Sequence, residues 1–383
     1  MPRTNKRRKL SKIKKHRKTQ KHPKQIYILP NMTPYDVTNV SSIINKSVPT
    51  SLSSYSPTIN KDLIPLESIP RQKVIDCNNE SAFELKEPLK IGIPGKIFGK
   101  TCYPYYDQKA IKQLLKSLNA NKHIKPENIV PPIQSQSNCW FNTMFVSLFI
   151  SDKGRKFFHF FRQLMIEGYQ SNGKMIPTSL RNAFALLNYA IDASITGTKY
   201  AYILDTNVII KNIYENIPKN YKDAYPYLTT IDEAGNPIRY YNTLIKYLHD
   251  NSIQLRLVEN CNENWKSLIT AKEHKHIPHI IILEFYDKES KMTTNKPRSF
   301  SILGARYALD SCIIRDTSKQ HFCALLTAEG REMAYDGLSF HRLTKMDWKH
   351  IINSDIKWSF EGPINLEWNF KNGYQMLIYY RVK

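Results

Sequence analysis

The chain has 383 residues, enough for one large domain or two modest ones with ample core. Its 56 Lys and Arg against 33 Asp and Glu give a net charge of +23, an excess that calls for an anionic partner. No run of about 18 apolar residues and no apolar h-region near the start exist, so neither a membrane-spanning helix nor a secretory leader is expected.

The charge is concentrated at the beginning. Residues 1–25 carry twelve basic side chains, Arg3, Lys6, Arg7, Arg8, Lys9, Lys12, Lys14, Lys15, Arg17, Lys18, Lys21 and Lys24, and the first acidic residue is Asp36. Such a block cannot collapse and reads as a disordered arm that binds nucleic-acid phosphates without sequence preference or serves as a nuclear import signal. Residues 26–90 are rich in Ser, Pro, Asn and Thr and read as a linker with short docking segments such as Gln25-Ile26-Tyr27-Ile28-Leu29. A glycine-bearing lead-in from Leu89 to Tyr106 comes next, and Ile111, Leu114 and Leu115 predict a helix over 107–118. Pro126, Pro131 and Pro132 then punctuate the approach to the next segment. The expected division is an arm at 1–25, partly ordered lead-in segments at 26–125 and a domain at 126–383.

The stretch Gln134 to Phe149, QSQSNCWFNTMFVSLF, reads as a polar loop turning into a helix. Phe141, Met144, Phe145, Leu148 and Phe149 form an i, i+3, i+4, i+7, i+8 stripe, so one face is expected to pack. Ser137 or Asn138 can cap it, which places Cys139 in the first turn. A thiol there faces unpaired backbone N–H groups and the positive end of the helix dipole, which favour the thiolate. A buried core cysteine is the commoner state, and a nucleophile needs a base in reach.

Helices are expected next. Ser151-Asp152 caps a phenylalanine-rich segment in which His159 is a satisfied core or edge histidine; others are expected near 178–195 and 240–249. Strands are expected from there on, at 253–258, 279–286 and 300–303. Residues 306–323 read as two strands joined by a polar turn, with His321 opening the second. That strand meets a Glu329-Gly330 turn and returns to Tyr335-Asp336-Gly337, which brings Asp336 beside His321. A base and the carboxylate that orients it result; Asp347, beyond the hairpin, is the nearest competitor for the acid. The chain closes with Gly373 to Arg381, GYQMLIYYR.

Cysteines at 77, 102, 139, 261, 312 and 323 show no framework spacing, which implies a reducing, intracellular compartment, with nucleus and virion both open. Cys312, His321 and Cys323 match no zinc template, and Cys323 reads as core. His274, His276 and His279 have no cysteine or carboxylate at ligand spacing. No metal and no other cofactor are expected.

Taken together, the cysteine box and the histidine hairpin resemble the ubiquitin-specific proteases, papain-fold cysteine peptidases that remove ubiquitin. Cys139-Trp140-Phe141-Asn142-Thr143 matches their cysteine box, and Arg306 to Asp336 their histidine box, a Tyr-x-Leu strand, a His-aromatic strand and an aromatic-Asp pair. The closing GYQMLIYYR is similar to their final strand. The chain departs from the family in having Gln136-Ser137-Asn138 before the cysteine, Gln320 before the histidine and no Cys-x-x-Cys pair for the zinc-bearing fingers that help grip ubiquitin.

The resemblance implies an α+β, papain-like fold, with a helical subdomain bearing the cysteine and an antiparallel sheet bearing histidine and acid. It implies Cys139, His321 and Asp336 as catalytic residues and Gln134, five residues before the cysteine, as the side chain that stabilises the oxyanion. Asn142 is expected to orient the loop. The substrate implied is ubiquitin or a ubiquitin-like protein. Two other readings fit the basic arm: a nucleic-acid-associated structural (virion) protein with a peptidase-like fold, and a protease that processes viral precursors. Lys-, Asn- and Ile-rich usage suits a large DNA virus or another AT-rich genome.

Overall fold

A computed structural model describes residues 75–383, apart from 96–98, 121–123, 231–234, 249–254, 260, 263, 271–276, 288–294, 340–341, 361–365 and 383. The arm, most of the linker, and His274 and His276 therefore lie outside the described residues.

After a single helical turn at Glu80–Phe83 comes a hairpin, β1 (Lys90–Pro94) and β2 (Lys100–Pro104), followed by helix α1 (Gln108–Ala120). Helices then dominate: α2 (Cys139–Phe149), α3 (Asp152–Phe157), α4 (His159–Glu167), α5 (Thr178–Thr196), α6 (Thr206–Asn216) and α7 (Pro237–Leu248), with other helices of four to six residues left unnumbered. Strands follow: β3 (Leu255–Val258), β4 (Ile280–Phe285), β5 (Ser299–Ile302), β6 (Ala305–Arg315), β7 (Phe322–Ala328), β8 (Arg331–Tyr335), β9 (Thr344–Lys345), β10 (Lys357–Trp358), β11 (Trp368–Asn369) and β12 (Gln375–Arg381). The result is a mixed α/β chain with its helices first and its main sheet second.

Within that sheet the strand order is β3-β4-β12-β6-β7-β8-β9, with β5 also paired to β6. An antiparallel sheet was expected, and one pair departs from it: β3 runs parallel to β4. The reason is the connection, which crosses over through the helix Trp265–Ile269 instead of turning back as a hairpin.

Both faces of this sheet are covered, and the two-residue side-chain period sorts its residues between two cores. Ile280 and Ile282 of β4, Ala324 and Leu326 of β7, and Met376, Ile378 and Tyr380 of β12 join the core shared with the helices. Their neighbours Ile281, Leu283, Leu325, Leu377 and Tyr379 join a second core with Trp265, Trp348 and Trp368. A strand buried on both faces reads as a continuous apolar run, which is why β4 is IIILEF and β12 is QMLIYYR.

Helix α2 packs on β7 and β6. The apolar stripe predicts one packed face, but every residue from Cys139 to Phe149 is buried. The periodicity missed this because Asn142, Thr143 and Ser147 occupy the remaining faces, where Asn142 and Thr143 find hydrogen-bond partners despite their burial. Thr143 Oγ1, for example, donates to the Cys139 carbonyl at 2.8 Å.

A buried ionic cluster ties the helices to the sheet. Arg155 of α3 lies 2.6 Å from Glu329, in the turn between β7 and β8, and 3.5 Å from Asp152. Asp152 in turn accepts from the backbone N–H groups of Glu329 (2.7 Å) and Gly330 (2.9 Å). Glu329 and Gly330 both have positive φ, 46° and 74°, as a two-residue type I′ hairpin turn requires. Removing either carboxylate takes away one of the two negative charges set against a buried guanidinium.

Cys77 and Cys102 form a disulfide, a correction to the reading of the cysteines. Residue spacing carried no sign of it, because the hairpin β1–β2 is what returns Cys102 toward residue 77. Among the described residues no helix is long and apolar enough to cross a membrane.

Candidate active site

Three elements converge on one histidine. The β6–β7 turn is built around Asp316, whose Oδ1 accepts from the backbone N–H groups of Gln320 (2.8 Å) and His321 (2.7 Å), while the Asp316 N–H bonds the His321 carbonyl at 2.9 Å. This fixes the backbone from which the imidazole projects. Pairing of Ala324 with Tyr335 places the start of β7 beside the end of β8. His321 Nε2 lies 2.5 Å from Asp336 Oδ1, and Cys139 neighbours the same ring. Because Nε2 is engaged by the carboxylate, Nδ1 is the nitrogen left for the sulfur.

Cys139 occupies the first position of α2, where the backbone N–H has no helical partner. Asn138 does stand at the cap position, but its side chain makes no capping bond. It donates instead to Thr206 Oγ1 at 2.9 Å, so tertiary contact has taken over the side chain expected to cap the helix.

Electrostatics follow from the packing. Burial works against a charged imidazole, but the Asp336 bond and the neighbouring Cys139 outweigh it and raise His321 to about 9. Burial likewise works against the Asp336 carboxylate; the His321 bond and charge outweigh it and hold the group below its ordinary value. Ser339 Oγ and the Leu338 N–H complete its hydrogen bonds. Asp347, the alternative acid, lies beside Glu332. Cys312 and Cys323 are also buried, and desolvation pushes the former to about 12 and the latter well above its usual value. A thiol held protonated is a poor nucleophile.

Gln134 stands beside this group. Its N–H donates to the Gly337 carbonyl at 3.0 Å, one residue past Asp336. A Cβ on Gly337 would meet Gln134 N at 3.1 Å and the Tyr335 hydroxyl at 2.9 Å, so glycine permits the approach. The Gln134 Oε1 is buried with no hydrogen-bond partner among the described residues. Asn142, one turn along α2, faces away toward α6: its Oδ1 accepts from Thr206 Oγ1 at 2.7 Å, and its side chain also lies against the Tyr335 hydroxyl.

The sequence therefore named Cys139, His321, Asp336 and Gln134, which lie together, and Asn142, which lies behind them against α6. It missed Asp316, Tyr335 and Thr206. Tyr335 donates to the Pro132 carbonyl at 2.6 Å and pins the loop that carries Gln134. Thr206 was detectable, since Asp205-Thr206 ahead of Val208, Ile209, Ile210 and Ile213 is a helix-start signature. His159 bonds Asn119 Oδ1 at 2.9 Å, as a satisfied histidine does. Among the described residues no group of three or more His, Cys, Asp or Glu side chains is arranged to hold a metal ion.

No protein-family model matches the chain, and no curated protein matches it. Solved structures do. The SAGA DUB module of Ubp8, Sgf11, Sus1 and Sgf73 bound to monoubiquitin is similar at a TM-score of 0.40 and 8% identity, covering 90% of this chain and 94% of that one. The same module bound to ubiquitin aldehyde gives the same values. An essential yeast splicing factor is similar at a TM-score of 0.29 and 10% identity, covering 66% and 69%. Likeness at this level leaves the chemistry to the geometry of the site.

Proposed function

We propose that this chain is a cysteine peptidase of the ubiquitin-specific protease kind, with a papain-like arrangement of Cys139, His321 and Asp336. The observation that carries the reading is the His321 imidazole bonded to the buried Asp336 carboxylate at 2.5 Å with Cys139, at the start of α2, beside the same ring. His321 takes the thiol proton through Nδ1, and the thiolate attacks a peptide or isopeptide carbonyl. The Cys139 N–H and the Gln134 side chain hold the oxyanion. The imidazolium then protonates the leaving amine, and water hydrolyses the thioester, with the imidazole as base for that water. Asp336 fixes the tautomer and supports the charge on the ring throughout.

The acyl donor proposed is ubiquitin or a ubiquitin-like protein. Amides of the C-termini of several such modifiers, offered to the wild-type and Cys139→Ser proteins, test this. Hydrolysis of one of them, abolished by the substitution, is the expected outcome. Cleavage of none, or cleavage that survives the substitution, refutes it.

The basic arm is proposed to bind nucleic-acid phosphates independently of catalysis, on the strength of its twelve cationic side chains within 25 residues.

A further inference from the structure

We propose that the N-terminus of α6, residues Asp205, Thr206 and Asn207, positions the oxyanion-holding groups of the Cys139 site; the inference rests on Cys139 being the nucleophile. The Thr206 hydroxyl accepts from Asn138 Nδ2 at 2.9 Å and donates to Asn142 Oδ1 at 2.7 Å. Thr206, Asn138 and Asn142 are buried, so these bonds are shielded from competing water. One hydroxyl thus holds the residue before Cys139 and the residue one turn after it.

A second bond set holds the other end of the loop. Asp205 Oδ1 accepts from Ser135 Oγ at 2.9 Å and from the Asn207 N–H at 3.0 Å, and Asn207 Nδ2 donates to Ser135 Oγ at 2.8 Å. Ser135 adjoins Gln134, whose N–H is held from the opposite side by the Gly337 carbonyl. The two oxyanion donors, the Gln134 side chain and the Cys139 N–H, therefore sit on a loop fastened to α6 at Ser135 and Asn138 and to the β8 end at Pro132 and Gln134. Loops that carry polar catalytic groups are mobile unless tied down. An oxyanion donor works only within a few tenths of an ångström of its ideal place, and misplacement by about 1 Å costs about 100-fold in rate.

Thr206 touches neither sulfur nor imidazole, which is what makes the idea testable. Alkylation of Cys139 by iodoacetamide forms a C–S bond and expels iodide, with no oxyanion at any stage. Amide hydrolysis, and reversible capture of a C-terminal aldehyde as a hemithioacetal, both place a negative or strongly polarised oxygen between the donors. Thr206→Val, nearly isosteric, should lower kcat by about 10- to 100-fold with KM little changed and weaken aldehyde affinity in parallel. The rate of Cys139 alkylation should stay as in wild type, and Thr206→Ser should restore kcat. Ser135→Ala, at an exposed position, should show the same pattern by several-fold and guards against misfolding of the buried variant.

Unchanged kcat in both variants overturns the proposal. So does a loss of alkylation in step with hydrolysis, which marks general disruption of the site. If wild-type Cys139 is not alkylated faster than Cys261, Cys312 and Cys323 and hydrolyses nothing, the nucleophile assignment itself falls and the positioning role with it.

Discussion

Cys139, Cys261, Cys312 and Cys323 are all buried free thiols, and what separates the first is its place beside His321. The charged ring gives a prediction with a definite sign. His321 is raised to about 9, so the imidazolium proposed to protonate the leaving amine persists at neutral pH and disappears as pH rises through about 9. The kcat/KM of the wild type should fall along a basic limb near that value. Asp336→Asn removes the leading cause of the upward shift, so the limb should move to lower pH while kcat drops by about 10⁴. The pH profiles of the two proteins check this. If Asp347→Asn instead caused the loss and Asp336→Asn none, the acid would have to be reassigned. Gly337→Ala should also slow turnover, because its Cβ presses on the Gln134 backbone.

At the scale of elements, the interlock of α3 with the β7–β8 turn sets where the cysteine helix stands against the histidine hairpin. Glu329→Gln leaves the buried Arg155 without its closest carboxylate and should cost on the order of 3 kcal/mol in unfolding free energy, read by urea denaturation. A loss within measurement error would mean that the pair merely offsets its own desolvation. Sequence patterns made several of these elements legible: α5, the β7–β8 hairpin with its Glu329-Gly330 turn, and β12 stand within a residue or two of expectation. What was not legible depended on contacts made at a distance. Asn138 reads as a helix cap by local rules, yet Thr206 claims its side chain from 68 residues away. Cys77 and Cys102 are joined by the return of a hairpin, which no spacing rule encodes. Periodicity showed one face of α2; the partner of the buried Asn142 on its polar face is Thr206 of α6, a helix this pattern does not reveal.

For the whole molecule, the same titrating pair makes stability depend on pH. His321 has a folded pKa above its unfolded value of about 6.5, so its contribution is full below that value and is lost as pH rises through about 9. Asp336 has a folded pKa below its unfolded value, so its contribution is present above about 3.9 and is lost as pH falls through the lowered value. The melting-temperature gap between wild type and Asp336→Asn should thus be widest between about pH 4 and 6.5 and narrow on either side. Deleting residues 1–25 should leave kcat on a small substrate unchanged and flatten the salt dependence of duplex DNA binding, where each neutralised phosphate adds about 0.9 to the slope. Equal slopes with and without the arm would assign it to import or solvation.

The central claim is that Cys139, driven by His321 and Asp336, is the nucleophile. It is tested most directly by incubating the intact protein with ubiquitin bearing a C-terminal electrophile and mapping the adduct by mass spectrometry. A single adduct on Cys139 is predicted, absent from Cys139→Ser and formed far more slowly by His321→Gln. An adduct on Cys261, Cys312 or Cys323, or labelling that persists in Cys139→Ser, would contradict it.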